Sequence, residues 1–401
     1  MKKSIDLWNV FRIAGIISLV LIYIIQWTSM IITPSRRTGA DFIAFYTAGR
    51  IAQTHGLPSV YNISLQHKIE QTVVGFALAR EQVLLYNHMP YLVPILGLLV
   101  NQDYTGSFIR WAILMLGVYT AGNLLFLKTL FPEEKNDLRS ILMMGALTFF
   151  PFYFSLLLGQ DTALLFLGIA LWCVGILKKQ DWLAAVGLAI TSVRPHLCLS
   201  LALPLLFKHR HLWWRFCLLT GILALTSIQL IKQDGVFDFL NLMQISANGT
   251  WYGMNEPAMP NLTGLIWRIF PAIDPALVHA VSWPGYLTGI FLLSILWFKE
   301  HEPDEQLLSI SIIVVLFTAP HLHYHDLTLL ILPLIFLINR FISRNVSKQI
   351  ALLPLGISLL MIYEPVRILM PYLLYGTIIW FLVQKTANQT LNITPDLHKH
   401  P

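Results

Sequence analysis

An apolar run at about residues 11–32 is followed by others of similar length almost to the C-terminus, separated by short polar tips. Runs of this length match the hydrocarbon thickness of a bilayer. Lipid cannot hydrogen-bond open backbone groups, so spanning segments must be helices or closed barrels. A barrel would show short strands of alternating polarity, and the runs here do not alternate. The expected class is an all-α polytopic membrane protein. Composition agrees: 56% of the 401 residues are hydrophobic and 12% are charged, with mean hydropathy +0.64. A soluble protein of this size carries about 25% charged residues. The first run is too long for a removed signal peptide and too poor in a small-residue cleavage site, so it reads as a retained span. The net charge of +6 fits an excess of Lys and Arg on cytoplasmic loops and not a nucleic-acid footprint. Cys173, Cys198 and Cys217 sit inside apolar runs, with no metal spacing and no disulfide framework.

The positive residues set a topology. Lys2, Lys3 and Arg12 place the N-terminus in the cytoplasm. Lys178-Lys179, Lys208 to Arg215, Lys299, and Arg340 to Lys348 recur on the same side. The polar stretch 33–82 is then outside, the chain re-enters at about 83–100 and crosses again at about 107–129. The tips at 159–161, 193–196, 232–262, 320–326 and 363–367 also fall outside. Counting 140–158 as a full span would put Lys178-Lys179 on the wrong side. Pro151 divides that run, and a re-entrant hairpin restores the parity, because broken helices are allowed where protein buries them. A second short piece, 261–270, also reads as re-entrant. With no fixed-period repeat, the expectation is a single domain over 1–401. It would have about twelve transmembrane helices, one re-entrant hairpin and outer surface helices. Both termini would lie inside, with outer loops at 33–82 and 232–262.

The polar stretch 36–61 carries the most chemistry. Asp41 opens a segment of helical spacing in which Phe42, Phe45, Tyr46 and Gly49 share one face and Thr47, Arg50 and Thr54 another. Such a helix would lie along the membrane surface. Asp41 reads either as its N-cap or as a base held at that surface, and an N-cap position also keeps a carboxylate ionised. Charge at a span end points to function, and Asp41, Gln160, Asp161, Arg194, His196, His321, His323, His325 and Asp326 all fall on the outer side. A water-filled cavity walled by these tips is the simplest arrangement. Pro195 ends a helix and leaves Arg194 as a snorkelling cation or a phosphate clamp. Asp161 reads as a helix cap or a site residue, and Gln160 as a partner for a sugar hydroxyl or phosphate oxygen. His321 and His325, four apart, would share a helix face. No third ligand at zinc spacing accompanies them, so no metal is expected and the histidines read as hydrogen-bond donors.

At these residues the chain resembles glycosyltransferase family 87, membrane enzymes of the GT-C fold. DFIAFYTAGRIAQTHGLPSVYN resembles the family's first outer loop, and YNHMPYLVPILGL its aromatic-Pro-Pro segment with one Pro of the pair, Pro90, kept. GQD resembles its Gly-Gln-Asn, and SVRPHLCLSLALPLLFKHR its Lys-Pro-Gln segment. MPNLTGLIWRIF and APHLHYHDLTLLILP resemble two later stretches. The likeness covers about residues 38–340, with Arg194 for Lys, His196 for Gln and Asp161 for Asn as departures. It implies a hexosyltransferase of the plasma (inner) membrane. The donor would be a polyprenyl-phosphate sugar, mannose in the named members, and the acceptor a glycan or glycolipid hydroxyl on the outer face. It implies Asp41 as general base. Inverting transfer needs one base, and a phosphate leaving group needs charge stabilisation and no general acid. Asp41 and Arg194 are therefore a sufficient minimum, with His196 beside the donor phosphate. Tyr46, Arg50, Gln160, Asp161, His321, His325 and Asp326 are expected to meet the sugar or acceptor. No cofactor and no nucleic acid is expected; the lipid-linked donor and membrane lipid are the partners.

Other classes make different demands. An oligosaccharide ligase or polymerase with a diphosphate-linked donor is the nearest enzyme alternative. A polytopic transporter would show an internal repeat and charge near the bilayer midplane, and the sequence shows neither. A two-carboxylate hydrolase would need a second acid, for which only Asp161 and Asp326 are at hand. A non-catalytic protein of the same fold is the remaining reading.

Overall fold

The computed structural model describes residues 6–33, 38–132, 136–247, 255–344 and 347–391, with residues 136, 247 and 382–391 by backbone alone. Among them every regular element is helical. Among the described residues five helices are long and apolar enough to cross a membrane, and a bent pair makes a sixth when counted as one span. The protein is an all-helical, multi-pass membrane protein. The N-terminal lysines Lys2 and Lys3 lie outside the described residues.

The helices run between two chemically distinct ends. At one, Lys179 pairs with Glu302 at 3.0 Å and Lys208 Nζ donates to the Phe298 carbonyl at 3.0 Å. Lys179, His209, His301, Glu302 and Arg340 surround a cavity of about 720 Å³ there. At the other, Asp41, Gln160, Arg194, His196, His321 and His323 line a second cavity. We call these the basic end and the polar end.

α1 (Leu7–Ile32) reaches the polar end, where the Met30 carbonyl accepts from Thr38 Oγ1. α2 (Phe42–His55), α3 (Ile63–Val74) and α4 (Val93–Leu99) stay at that end. α4 packs along α2, and Gln53 Nε2 donates to the carbonyls of Gly97 and Val100 at 2.7 and 2.8 Å. The crossing expected at 83–100 is therefore corrected: the run is a short helix lying on a surface helix. α5 (Tyr104–Leu130) starts at the same end, its Tyr104 hydroxyl donating to the carbonyls of Thr38 and Gly39. It ends at the basic end, where Phe126 meets Phe336.

α6 (Asn136–Leu147) and α7 (Phe150–Leu158) return together. α6 packs on the turn Lys348–Leu352 near the basic end, and the Leu158 carbonyl accepts from Asp41 N at 3.0 Å at the polar end. The break between them has a local cause. Phe149 is extended (φ −63, ψ 120), and Pro151, which has no N–H to give, sits in the first turn of α7. The freed Phe150 N–H donates to Ser358 Oγ at 3.2 Å. The bend is 46°, so the run is not straight, but it continues forward and does not double back. The expected hairpin is corrected to a broken crossing. Removing the crossing at 83–100 restores the parity that the hairpin was meant to supply.

α8 (Thr162–Leu177), α9 (Asp181–Ile190) and α10 (Pro195–Ala202) then alternate between the ends. α11 (Arg210–Ala247) is broken at Lys232 (φ 56, ψ −174), a left-handed conformation that strains a side-chain-bearing residue. Its second half runs along the polar end and brings Met243 and Ser246 to the cavity. The expected loop 232–262 is thus helix as far as Ala247, and residues 248–254 lie outside the described set. α12 (Leu262–Ile269) packs on α13 (Pro275–Lys299) and leaves Ile269 and Phe270 exposed. α14 (Glu305–Thr318), a 3-10 turn (Tyr324–Leu330) leading into α15 (Ile331–Ser343), α16 (Leu353–Met361) and α17 (Glu364–Leu391) complete the chain. Leu327 to Ile338 are buried without interruption, whereas α1 and α13 expose rows of Ile, Leu and Phe, as lipid-facing helices do.

α3 supports the segment before α4. Gln66 Oε1 accepts from Tyr86 N at 2.9 Å, and Glu70 Oε2 accepts from Leu84 N at 3.0 Å. Glu70 is 2% exposed, its Oε1 has no partner, and burial pushes its carboxyl up to about 8.

Two outcomes check this account. With Cys217→Ser as background, Phe76→Cys and Gln102→Cys in sealed vesicles should react with an impermeant maleimide from one side, and Lys179→Cys from the other. Labelling of 76 and 102 from opposite sides would restore the crossing at 83–100. For Glu70, the unfolded carboxyl titrates near 4.5 and the folded one near 8. The fold holds the proton more tightly, so stability falls as pH rises through that window. Glu70→Gln keeps an acceptor for Leu84 N and should remove this slope from thermal melts in detergent.

Candidate active site

The site is assembled from three helix breaks and one helix start. At the first break Gly159 ends α7 with φ 78, and Gln160 N returns to the Ser155 carbonyl at 2.9 Å, as in a Schellman turn. A Cβ on Gly159 would lie 2.5 Å from the Cβ of Phe42. The position therefore needs glycine both for its backbone and for the approach of α2. The Gly159 carbonyl accepts from Trp111 Nε1 at 2.9 Å, which fixes the turn that presents Gln160 and Asp161.

At the second break a 3-10 turn (Thr191–Val193) ends α9, and Pro195 starts α10. Arg194 between them turns inward. Its Nη2 donates to Asp161 Oδ1 at 2.7 Å and its Nη1 to Oδ2 at 3.4 Å. The side chain of Asp161 is 0% exposed and that of Arg194 12%. Asp161 also meets His88 Nδ1 at 3.1 Å. Burial would raise the Asp161 carboxyl, but Arg194 and His88 outweigh it and hold the group well below the usual carboxylate range. Neither the helix-cap reading of Asp161 nor the snorkelling reading of Arg194 holds: Asp161 makes no cap hydrogen bond, and the guanidinium is folded into the protein. The third break is the 320–326 tip. There Asp326 Oδ2 accepts from His323 N at 3.1 Å, and Oδ1 lies 4.0 Å from Arg194 Nε.

Asp41 sits at the start of α2. Its φ and ψ (−91, −17) turn the carboxylate away from the helix N–H groups, and it makes no cap hydrogen bond. Oδ2 accepts instead from Gln160 Nε2 at 2.7 Å. Gln160 Oε1 accepts from Arg194 Nη2 at 3.3 Å. This amide orientation satisfies both neighbours, because a carboxylate needs a donor and a guanidinium an acceptor. Burial raises the Asp41 carboxyl, and Gln160, His323, His88 and Arg194 pull the other way without cancelling it. Asp41 enters no ion pair with a described residue, no described residue donates to its Oδ1, and the residue lines the cavity.

The cavity over these groups measures about 550 Å³. Its polar pole is Asp41, His88, Gln160, Arg194, His196, His321 and His323. Its other wall is apolar: Leu84, Leu85, Leu199, Met243, Trp283 and Tyr286, with Leu199 and Trp283 exposed on the outside of the bundle. Tyr286 hydroxyl donates to the His196 carbonyl at 2.7 Å and so ties α13 to the second break. Burial keeps His321 and His323 below the usual histidine range, so both are neutral near pH 7 and can donate or accept. Among the described residues no group of three His, Cys, Asp or Glu side chains is placed to hold a metal.

Of the residues expected to gather here, Asp41, Gln160, Arg194, His196, His321 and His323 do line the cavity. Asp161 and Asp326 lie behind it, paired with Arg194. His325 is 2% exposed and away from the opening, and the 3-10 turn starts after His323, so His321 and His325 share no helix face. Tyr46 and Arg50 are not in the cavity wall: the Tyr46 hydroxyl donates to the Gln102 carbonyl and its ring packs on Tyr104, while Arg50 Nη1 donates to Gln53. The helical periodicity placed both correctly on α2, but Tyr46 packs against the start of α5 and Arg50 turns to Gln53 on its own helix. His88 was missed. Its ring packs tilted against that of Phe45, with centroids 4.5 Å apart, and its Nδ1 lies 3.0 Å from Arg194 Nη1. A polar residue inside the aromatic-Pro segment was the available signal.

Asp161→Asn should leave Arg194 buried with its carboxylate gone and lower stability by about 3–5 kcal/mol. Asp161→Asn combined with Arg194→Met should cost less than the two single changes summed, because each single change strands the partner's charge, while in the double variant only Asp326 loses its more distant cation. Melting curves in detergent for the two single variants and the double one give the coupling; additive losses would mean that the pair is not coupled.

No curated protein matches the chain. The family model of glycosyltransferase family 87 matches residues 87–363, well over half of the sequence. The matched range takes in His88, Gln160, Asp161, Arg194, His196, His321, His325 and Asp326, and it begins beyond Asp41, Tyr46 and Arg50. With the helical membrane fold already described, that match settles the family: the chain belongs to glycosyltransferase family 87.

Proposed function

We propose that this membrane glycosyltransferase moves a hexose, mannose by likeness to its family, from a polyprenyl-phosphate donor to an acceptor hydroxyl, with inversion. The supporting observation is the pairing of one open carboxylate with a fixed cation across a cavity that is polar at one pole and apolar at the other. The apolar wall of Leu199, Met243, Trp283 and Tyr286 suits the first isoprenes of a lipid chain. Exposure of Leu199 and Trp283 on the bundle surface gives the rest of the chain a way into the bilayer. The fold would be of the GT-C type in a single domain. About twelve passes would be made by α1, α5, the α6–α7 pair, α8, α9, α10, the first half of α11, α13, α14, α15, α16 and α17. With Lys179, Lys208 and Arg340 in the cytoplasm, the polar end faces outward across the plasma membrane.

The chemistry follows from the geometry. The acceptor oxygen attacks the anomeric carbon while the bond from that carbon to the phosphate oxygen breaks, and that electron pair leaves on the phosphate. Asp41 Oδ1 takes the acceptor proton. A carboxylate whose affinity for protons is raised by burial is a stronger base once ionised. Arg194 is already forked on Asp161, so it is not a free bidentate clamp. It offers fixed positive charge, with Gln160, His196, His321 and His323 as donors around the phosphate and sugar. A preorganised cation costs no rearrangement when the leaving group gains charge.

Asp41→Asn keeps the shape and the Gln160 contact but cannot accept a proton. Transfer of labelled sugar from a polyprenyl-phosphate donor in proteoliposomes should fall by about 10²–10⁴-fold, with donor binding nearly unchanged. Full activity in this variant would rule out the base. In the wild type the acid limb of kcat/KM should lie above the 3.8 of a free aspartate. Arg194→Ala should weaken donor binding and slow the chemical step together, and Arg194→Lys should restore part of both.

A further inference from the structure

A second pocket opens to the side of the bundle near the polar end, between α1, α7 and α17. It measures about 310 Å³ and is lined by Gln26, Met30, Phe150, Phe154, Leu157 and Arg367, none of which lines the cavity over Asp41. Arg367 is the fourth residue of α17, close to the positive end of the helix dipole, where a cation is disfavoured. Its side chain is 28% exposed. Its guanidinium lies over the rings of Phe150 and Tyr324, at 5.7 and 6.0 Å. Its nearest carboxylate oxygen, on the exposed Glu364, is 3.7 Å away, beyond hydrogen-bond distance. No described residue accepts a hydrogen bond from this guanidinium.

Gln26 is equally out of place. It lies in an apolar span and is exposed on the outside of the bundle. Its Oε1 accepts from the Tyr153 hydroxyl at 2.7 Å, which leaves the amide N–H groups without a described acceptor. Two sets of donors therefore face one opening whose other walls are apolar. An acceptor-rich, negatively charged head with an apolar tail complements this arrangement.

We propose that this pocket binds a phosphate-headed anionic membrane lipid, with Arg367 and Gln26 on the phosphate and the tail along Phe154 and Leu157. The site lies against the turn that carries Asp41: Leu157 adjoins Leu158, whose carbonyl holds Asp41 N, and Met30 Sδ accepts from Gly39 N at 3.4 Å. Occupancy would brace that turn from behind. The proposal does not depend on the identity of the sugar donor.

Native mass spectrometry of the full chain, with phosphatidylglycerol and phosphatidylcholine offered in equal amounts, tests it. The wild type should retain phosphatidylglycerol preferentially. Arg367→Gln should reduce that retention about fivefold, a typical loss for one Arg–phosphate contact near a membrane surface. Gln26→Leu should reduce it about twofold, and Arg367→Lys should keep most of it. Arg50→Gln, which removes another cation from the same end, should leave it unchanged. Equal retention of both lipids, or equal losses in Arg50→Gln and Arg367→Gln, would overturn the proposal. So would displacement of the lipid by millimolar inorganic phosphate, which would make the site one for the free anion.

Discussion

The buried ion pair between Arg194 and Asp161 is the contact on which the polar end depends. It joins two helix breaks that are 33 residues apart in sequence, and through Asp326 it reaches the third. A buried pair of this kind contributes little net stability compared with an apolar replacement, yet losing one partner is costly. Its value lies in position. A cation fixed at a helix break cannot drift with the lipid or with a flexible side chain. Gln160, held by the same pair, then carries the position of the cation to Asp41.

Breaking helices inside a membrane protein frees backbone groups that lipid cannot satisfy. Here each break supplies its own partners. Phe150 N–H finds Ser358, the turn at Gly159 closes on Ser155 and Trp111, and the tip after α14 is held by Asn261 Nδ2 on the Ala319 carbonyl at 2.7 Å. Two of these breaks, at Gly159 and after α14, lie at the polar end, where protein covers them. The basic end is built differently, from ion pairs and carbonyls around Lys179 and Lys208.

Much of this was legible from the chain. Apolar run lengths gave the class, Lys and Arg placed one end, and Pro151 and Pro195 marked two of the breaks. What failed was the assignment of 83–100, an apolar run that packs on α2 and does not cross. Composition cannot tell protein-facing from lipid-facing burial, and a single miscounted crossing was enough to require a hairpin elsewhere. The acids also looked alike in sequence. Asp41 and Asp161 both precede helices, and capping preference alone would treat them the same way. Only the folded arrangement separates them, since Asp161 is consumed by Arg194 while Asp41 is touched by a neutral amide. His88 escaped notice because its partners lie 73 and 106 residues downstream.

The absent side chain of Gly159 has a further meaning. α2 docks on that turn with no spacer, so the depth to which Asp41 enters the polar end is fixed by contact between Phe42 and a bare backbone. A single methyl at this point would have to push the helix outward and take the carboxylate with it. The separation of acid and cation is therefore machined to a tolerance finer than one carbon atom, by an element that carries no functional group of its own.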